Sequence, residues 1–522
     1  MGPIDIPNRF SSTEQSTGTK MNSIPGHPEL EKKEIYLLAA LLAIVIARTW
    51  VTPMFSSLWV DEWATYLIGS EGPARIDALA NLYISDQRLI GFAGWLGTQA
   101  VGVNEFGLRL YSLLAGTWCL FVIYKLGRRW FGARTALLSV LMFPCLHAVY
   151  QQSANARAYM LGLSFFLTLL WSVELWLEHR RWYWMLLGVV SSYFMVYTHL
   201  LQAIGLGVAG LRVLWEVRPW THWWGLLLIL LSGLAETAYQ LANHPVSNLV
   251  HAARPTPIDF MSALFPQPAA GLVVLVLAAL LGLRLAAWGE QKHAALPWMQ
   301  YYVLAAWILP VLGMFLFSRV SGTSVFIPRY YFIAFPGAAW LLGLTLARIE
   351  PFRWRAASVI LIAASSTLIL TGTRSYASAN HENWRDAFAT IDRLRSSPAE
   401  PVLFYSGFLE TDFPDWRDTY RPGGICRGGL LFYHFDGNIV GLPYTAKPDR
   451  IAELRPQLEE VLASNRRVWL LSRDQSGSTL NWLDAYLAVK GWKARSVGFF
   501  DPVRVDIIEP DPAANQPAGP AL

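Results

Sequence analysis

The chain has 522 residues, of which 54% are hydrophobic and 15% charged, and it carries a net charge of +5. An ordinary soluble domain is about 25% charged, so a multidomain soluble protein with polar surfaces throughout is excluded. In so apolar a chain the small positive balance reads as a topology signal and not as affinity for nucleic acid.

Residues 1–33 are rich in Ser, Thr, Pro and Gly and are expected to form a disordered cytoplasmic tail. Apolar runs then recur at lengths able to cross a ~30 Å hydrocarbon core, which takes about 20 residues of helix. They predict eleven spans within residues 34–373, at 35–53, 108–125, 134–150, 158–177, 183–199, 200–216, 223–241, 268–288, 298–317, 330–348 and 356–372. The first run follows a long polar segment, so it reads as a retained helix and not as a cleavable leader. The 24 Trp and 21 Tyr suit interfacial belts. Cys119 and Cys145 fall in predicted spans and Cys426 stands alone, a pattern that suggests neither a disulfide framework nor a cysteine metal site.

Charge orients the spans. Lys32 and Lys33 precede the first; Lys125, Arg128, Arg129 and Arg134 follow the second. Arg180 and Arg181 follow the fourth, Arg212 and Arg218 the sixth, Arg284 and Lys292 the eighth, and Arg348, Arg353 and Arg355 the tenth. All these clusters share one side, which by the positive-inside rule is the cytoplasm. The segment 54–107 and everything after Thr373 then face outward. In the final part, strand-like runs (Pro401–Tyr405, Arg467–Leu471, Val503–Ile508) alternate with amphipathic stretches (Trp384–Leu394, Asp449–Ala463, Leu480–Val489). This alternation predicts a small extracytoplasmic α/β domain over 374–510, before a disordered Pro/Ala-rich tail at 511–522. No internal repeat is visible, which weakens readings built on duplicated transporter halves.

The sharpest local feature is SLWVDEWATYLIGS, residues 57–70. Asp61 and Glu62 stand just past the first span between Trp59 and Trp63. Carboxylates held between large aromatics at a membrane surface are partly desolvated, which suits a general base or a cation ligand. The plain alternative is a pair of solvated loop charges flanking an interfacial helix. Arg75, Arg88, Arg109, Arg157, Arg254, Arg319 and Arg329 face outward against the charge rule. As a set they suit an anionic lipid head, since the planar guanidinium fits phosphate, although any single one could be snorkelling to headgroups. His199 lies at the same outer boundary, where a lone His is more often structural than catalytic. No P-loop, dinucleotide fingerprint, HExxH or serine elbow occurs in a supporting context. An outward-facing transferase cannot reach cytoplasmic nucleotide sugars, so its donor would be lipid-linked.

In the order of these features the chain resembles the GT-C membrane glycosyltransferases, in particular glycosyltransferase family 39, which includes protein O-mannosyltransferases and the aminoarabinose transferases that modify lipid A. The stretches that carry the resemblance are SLWVDEW, NEFGLRLYSLLAGTWCLFVIYKLGRRWFGARTALLSVLMF, VYQQSANARAYML with YTHLL, and FIPRYYFIAFPGAAWLL. Together they run from about residue 35 to 345. The resemblance implies a GT-C fold and a polyprenyl-phosphate sugar donor. Transfer would go to a glycan, lipid or protein acceptor at the outer face of the cytoplasmic (inner) membrane. Asp61 would deprotonate or orient the acceptor, with Glu62 assisting or holding the site. Arg157 and Arg329 would bind the donor phosphate, and Tyr159, His199 and Tyr330 would line the cavity. A phosphate leaving group needs cationic stabilisation and a hydroxyl nucleophile needs a base.

The chain departs from the family pattern twice. Asn155 stands two residues before Arg157, where a carboxylate is usual, so no divalent ion is expected at a paired-carboxylate site and no other cofactor is implied. The usual His-Pro-Pro after the first motif is replaced by SDQRLIG, which gives Asp86 or Arg88 a share of that role. The residues themselves leave open a lipid or solute transporter, or a non-catalytic scaffold of envelope glycan assembly.

Overall fold

The computed structural model describes residues 31–70, 88–215, 223–243, 253–264, 297–321, 323–371, 382–412, 415–422, 424–473 and 477–511. Among these, six helices are long and apolar enough to cross a membrane: Lys32–Phe55, Glu105–Phe131, Ala158–His179, Trp224–Asn243, Trp298–Val320 and Phe352–Thr371. A seventh candidate is the pair Ala133–Cys145 and His147–Ser153, bent by 71°. The bend has a local cause: Pro144 sits in a 3₁₀ turn at Phe143–Cys145, and Leu146 is extended. Shorter apolar helices at Trp182–Thr198, Leu200–Leu214 and Phe332–Ala347 fall on three further predicted spans. The predicted eighth span, 268–288, lies outside the described residues, as do the tails 1–30 and 512–522.

The basic residues expected on the cytoplasmic side do lie together, tied by carboxylates. Glu34 pairs with Arg134 (3.3 Å) and Arg355 (2.9 Å), and Glu350 pairs with the same two arginines. This network joins the predicted inner ends of the first, third and last two spans. Glu174 likewise receives Arg129 and Arg212, joining the second, fourth and sixth. Buried Arg–Glu pairs at these ends leave few charges uncompensated against the bilayer.

The first span does not run out as a plain α-helix. It widens through a π turn at Ala47–Val51, tightens through a 3₁₀ turn at Thr52–Phe55 that contains Pro53, and then extends at Ser56. The chain turns back into a helix at Val60–Ser70, whose residues are mostly buried. Within the predicted outer loop this helix packs antiparallel on a second one, Arg88–Val101, through glycines. A Cβ added at Gly91 would meet Ile68 at 2.3 Å, and one added at Gly94 would meet Thr65 at 3.4 Å.

The C-terminal part is a five-stranded mixed sheet, in the order β2-β1-β3-β5-β4, with β1 at Pro401–Tyr405, β2 at Asn438–Gly441, β3 at Val468–Arg473, β4 at Trp492–Phe500 and β5 at Val503–Pro510. β1 pairs in parallel with β2 and β3, while β5 pairs antiparallel with β3 and β4. The predicted strands and the helices Trp384–Leu394, Pro448–Ser464 and Ser478–Val489 coincide with the sequence pattern. β2 and β4 were not expected. Both are edge strands with partly exposed faces, and β4 is interrupted by a bulge at Ser496–Gly498, so neither shows a clean apolar alternation.

This domain does not hang free of the membrane bundle. Leu58, Val60, Trp63 and Ala64 share one core with Trp384, Phe388, Phe404, Phe408 and Leu430. Trp63 is fully buried at its centre, 4.8 Å from Trp384, 6.1 Å from Phe404 and 6.2 Å from Phe408. The short helix Arg427–Phe432 lies against it through two glycines; a Cβ at Gly429 would stand 2.3 Å from the indole. The domain thus sits against the Val60–Ser70 helix, where that helix emerges from the end of the first span. Gly429→Val should force that helix off Trp63. The expected result is faster cleavage of the C-terminal domain in limited proteolysis and a lower midpoint of thermal unfolding, with about 1–3 kcal/mol lost to overpacking.

Candidate active site

The site is built on one buried ion pair. Arg109, on the helix Glu105–Phe131, is 1% exposed, and Glu62, in the first turn of the Val60–Ser70 helix, is 0% exposed. Arg109 Nε donates to Glu62 Oε1 at 2.7 Å and Nη2 to Oε2 at 2.5 Å. The remaining guanidinium N–H groups close the end of the first span. Nη1 reaches the carbonyls of Pro53 (3.0 Å), Met54 (3.3 Å) and Ser56 (2.7 Å), and Nη2 that of Ser57 (3.0 Å). The Pro53 carbonyl also takes the Ser56 N–H and hydroxyl, and a cation placed at this C-terminal end of the span meets the negative end of its dipole. Glu62 also accepts from the Trp59 N–H (3.1 Å), as the third-residue carboxylate of a capping box does, and from the Ala156 N–H (2.6 Å). Both of its oxygens are therefore occupied. Glu62 holds the site together, and its geometry leaves no lone pair aimed at a substrate.

Asp61, the next residue back, points elsewhere. Its carboxylate Oδ2 lies 3.2 Å from Arg329 Nη1, and each side chain is 22% exposed. Arg157 Nη1 donates to the Asp61 backbone carbonyl at 3.1 Å. The Arg329 guanidinium lies over the rings of Trp59 and Tyr330, 5.7 and 5.4 Å from their centroids. Its Nε is buried with no hydrogen-bond partner. Tyr159, His199 and Tyr330 form an aromatic trio beside it, with ring separations of 5.4, 6.3 and 5.1 Å. Six of the residues singled out in the sequence, Asp61, Arg157, Arg329, Tyr159, His199 and Tyr330, are thus brought to one place.

Asn155 also belongs to the site but faces away from chemistry. It is 1% exposed, accepts from the Trp59 indole N–H at 3.1 Å and donates to Gln152. Its carbonyl takes the Ser112 hydroxyl and the neighbouring Ala156 carbonyl takes that of Thr65, which locks this outer turn onto two helices. With Glu62 committed to Arg109 and Asn155 neutral, Asp61 is the one carboxylate of this cluster left open among the described residues, and these residues do not fit a divalent ion held by paired carboxylates. Arg88 is not brought to the cluster. It opens the helix Arg88–Val101 beside the far end of the Val60–Ser70 helix, where Gly91 meets Gly69, about 12 Å along the axis from Asp61. Asp86 lies outside the described residues. Of the other outward arginines, Arg319 donates to the Pro255 carbonyl and Arg254 to that of Arg319.

Sequence reasoning missed three residues here. Arg109 was seen only as one of several outward cations. Glu382 is fully buried; it accepts from the Val60 N–H (2.9 Å) and the Trp384 indole (2.8 Å), and pairs with Arg473 (2.6 Å). Burial pushes its carboxyl up from the ordinary value, with Arg473 opposing the shift. Tyr433 accepts from the Leu58 N–H at 2.7 Å. No spacing or motif marks either residue, since both partners lie more than 300 residues away along the chain.

Residues 89–236 match the family profile of dolichyl-phosphate-mannose-protein mannosyltransferases. Among solved structures the chain is similar to ArnT from Cupriavidus metallidurans bound to undecaprenyl phosphate, with a TM-score of 0.55 and 14% identity over 92% of this chain and 98% of that one. The apo state of the same protein gives the same score and identity over 91% and 98%. A looser likeness, with a TM-score of 0.45 and 12% identity over 94% of this chain and 75% of that one, is to the oligosaccharyltransferase AglB from Archaeoglobus fulgidus in complex with an inhibitory peptide and a dolichol-phosphate. No curated protein matches the chain. The likeness to ArnT extends over nearly the whole chain and is one of fold, of the GT-C type, while the mannosyltransferase profile covers residues 89–236 alone.

Removing one member of a buried ion pair leaves the other uncompensated, at about 3–5 kcal/mol. Glu62→Gln and Arg109→Met should each cut the yield of folded protein in detergent, with the double variant recovering part of the loss. Size-exclusion chromatography of the solubilised variants reads this directly. A Glu62→Gln variant that folds fully and loses only turnover would instead give Glu62 a chemical role.

Proposed function

We propose that this protein transfers a sugar from a polyprenyl-phosphate donor to a glycan, lipid or protein acceptor at the outer face of the cytoplasmic membrane. The observation that carries this reading is Asp61: a partly open carboxylate beside two arginines at the outer end of the bundle. ArnT, whose fold the chain shares, was solved with undecaprenyl phosphate bound. The C-terminal domain in this reading is periplasmic or extracellular, on the side of Asp61.

The chemistry follows from the placement. The acceptor oxygen attacks the anomeric carbon, forming the new C–O bond. The bond from that carbon to the donor phosphate oxygen breaks, and the phosphate leaves with the electron pair. Asp61 takes the acceptor proton, which a hydroxyl nucleophile must shed. Arg157 and Arg329 meet the charge that develops on the phosphate, and the unpartnered Arg329 N–H is a ready donor to it. The rings of Tyr159, His199 and Tyr330 wall the cavity and limit water. The grouping of charge at one end of the bundle, and not at mid-membrane, favours this over a transporter.

The test gives the purified protein a radiolabelled polyprenyl-phosphate sugar and a membrane acceptor extract, wild type beside Asp61→Asn. Transfer should fall by about 10²–10⁴-fold in the variant, the usual worth of a general base, while donor binding persists. Equal transfer by both would overturn the role of Asp61. No donor binding by either would move transport or scaffolding ahead.

A further inference from the structure

The helix that carries Asp61 is held from two sides, and only one of them is the membrane bundle. Beneath it stands the Glu62–Arg109 pair. Above it, the sheet domain reaches into every turn of the segment that leads to Asp61. Arg385 donates from Nη2 to the Phe55 carbonyl (2.6 Å) and from its backbone N–H to Ser57 Oγ (3.2 Å). Arg385 also pairs with Glu105, at the head of the helix that carries Arg109. The Tyr433 hydroxyl lies 3.0 Å from Ser57 Oγ and takes the Leu58 N–H at 2.7 Å. Glu382 then takes the Val60 N–H at 2.9 Å.

The last contact has the most leverage. Val60 is the first residue of the helix and Asp61 the second. The first N–H groups of a helix have no partner within it, and its N-terminus favours a negative charge. Glu382 supplies a carboxylate there that is fully buried and is itself fixed by the Trp384 indole and by Arg473 on β3. A carboxylate so enclosed cannot slide, so it sets both the height and the rotation of the first turn.

We propose that Glu382 is a positioning residue for Asp61, and that the C-terminal domain, through Glu382 and Tyr433, is part of the catalytic apparatus and not an appended module. The inference rests on the reading of Asp61 as the catalytic carboxylate. Its physical basis is that a displacement of about 1 Å in a reacting group can cost about 10²-fold in rate. Asp61 meets Arg329 at 3.2 Å, and among the described residues Glu382 is the side chain of the sheet domain that takes an N–H of this first turn, while Trp63 only packs against that domain.

The experiment uses the full chain in lipid nanodiscs, wild type beside Glu382→Ala and Glu382→Gln. Hydrogen–deuterium exchange of residues 57–66 reads the clamp without requiring any activity. Transfer from radiolabelled mannosyl undecaprenyl phosphate into a membrane acceptor extract reads its consequence. In Glu382→Ala, exchange over 57–66 should rise about tenfold with the spans unchanged, and kcat should fall about tenfold or more with donor KM within about twofold. Glu382→Gln keeps an oxygen for the Val60 N–H and should recover most of both. Unchanged exchange, faster exchange with unchanged kcat, or a uniform rise across all segments would each overturn the proposal. If the wild type transfers nothing, the glycosyltransferase reading fails, and with it the catalytic role given to the clamp, whatever the exchange shows. Should Glu382→Ala not fold, Tyr433→Phe keeps the ring and removes only the hydroxyl that takes the Leu58 N–H and meets Ser57 Oγ. It should show the same pattern at smaller size, and no change in it overturns the proposal.

Discussion

A guanidinium that closes the end of one helix and a carboxylate that opens the next determine the rest of this structure. Arg109 gathers the carbonyls of Pro53, Met54, Ser56 and Ser57, and Glu62 balances its charge while taking the N–H groups of Trp59 and Ala156. Four pieces of chain meet there: the end of the first span, the start of the Val60–Ser70 helix, the second span and the outer turn before Arg157. Desolvating two charges is costly, and only the completeness of the hydrogen bonding makes it tolerable. The consequence is a sharp, unyielding reversal of the chain at the membrane surface, with Asp61 carried on its outer side. Neighbouring carboxylates thereby part company, one given wholly to architecture and the other left open beside Arg329.

The fold then places chemistry where those constraints converge. Arg157 follows directly on the turn that Glu62 holds through Ala156, so the same ion pair that orients Asp61 also sets one of the two arginines near it. Arg329 arrives independently at the start of a late span, and Trp59 and Tyr330 frame its guanidinium. The sheet domain closes the arrangement from outside, with Trp63 as the buried peg between the two cores. A helix sandwiched in this way is preorganised, which is what a reaction driven by placement and electrostatics requires.

Much of this was legible in the sequence because it depends on local pattern. Hydropathy located the spans among the described residues, and the order of motifs singled out Asp61, Arg157, Arg329, Tyr159, His199 and Tyr330, which the fold brings to one place. What escaped depends on long-range pairing. Glu62 could be read as assisting Asp61 or as holding the site, because nothing local reveals an arginine 47 residues away. Asn155 read as a missing carboxylate, whereas its amide binds Trp59 and Gln152 in a way a carboxylate could match only in part, having no N–H to give Gln152. Arg88 was given a share of the role of the replaced His-Pro-Pro, but the helix it opens runs antiparallel to the Val60–Ser70 helix and starts beside that helix's far end. Glu382 sits in a short polar stretch with no periodicity at all.

The account stands or falls on where the donor phosphate binds. A cryo-EM structure of the protein in nanodiscs with undecaprenyl phosphate bound would show it most directly. The phosphate is predicted to lie within hydrogen-bond reach of both Arg157 and Arg329, about 2.7–2.9 Å for charge-assisted contacts, with the Asp61 carboxylate facing the cavity beside it. A phosphate seated elsewhere, with Arg329 still paired to Asp61, would contradict the account.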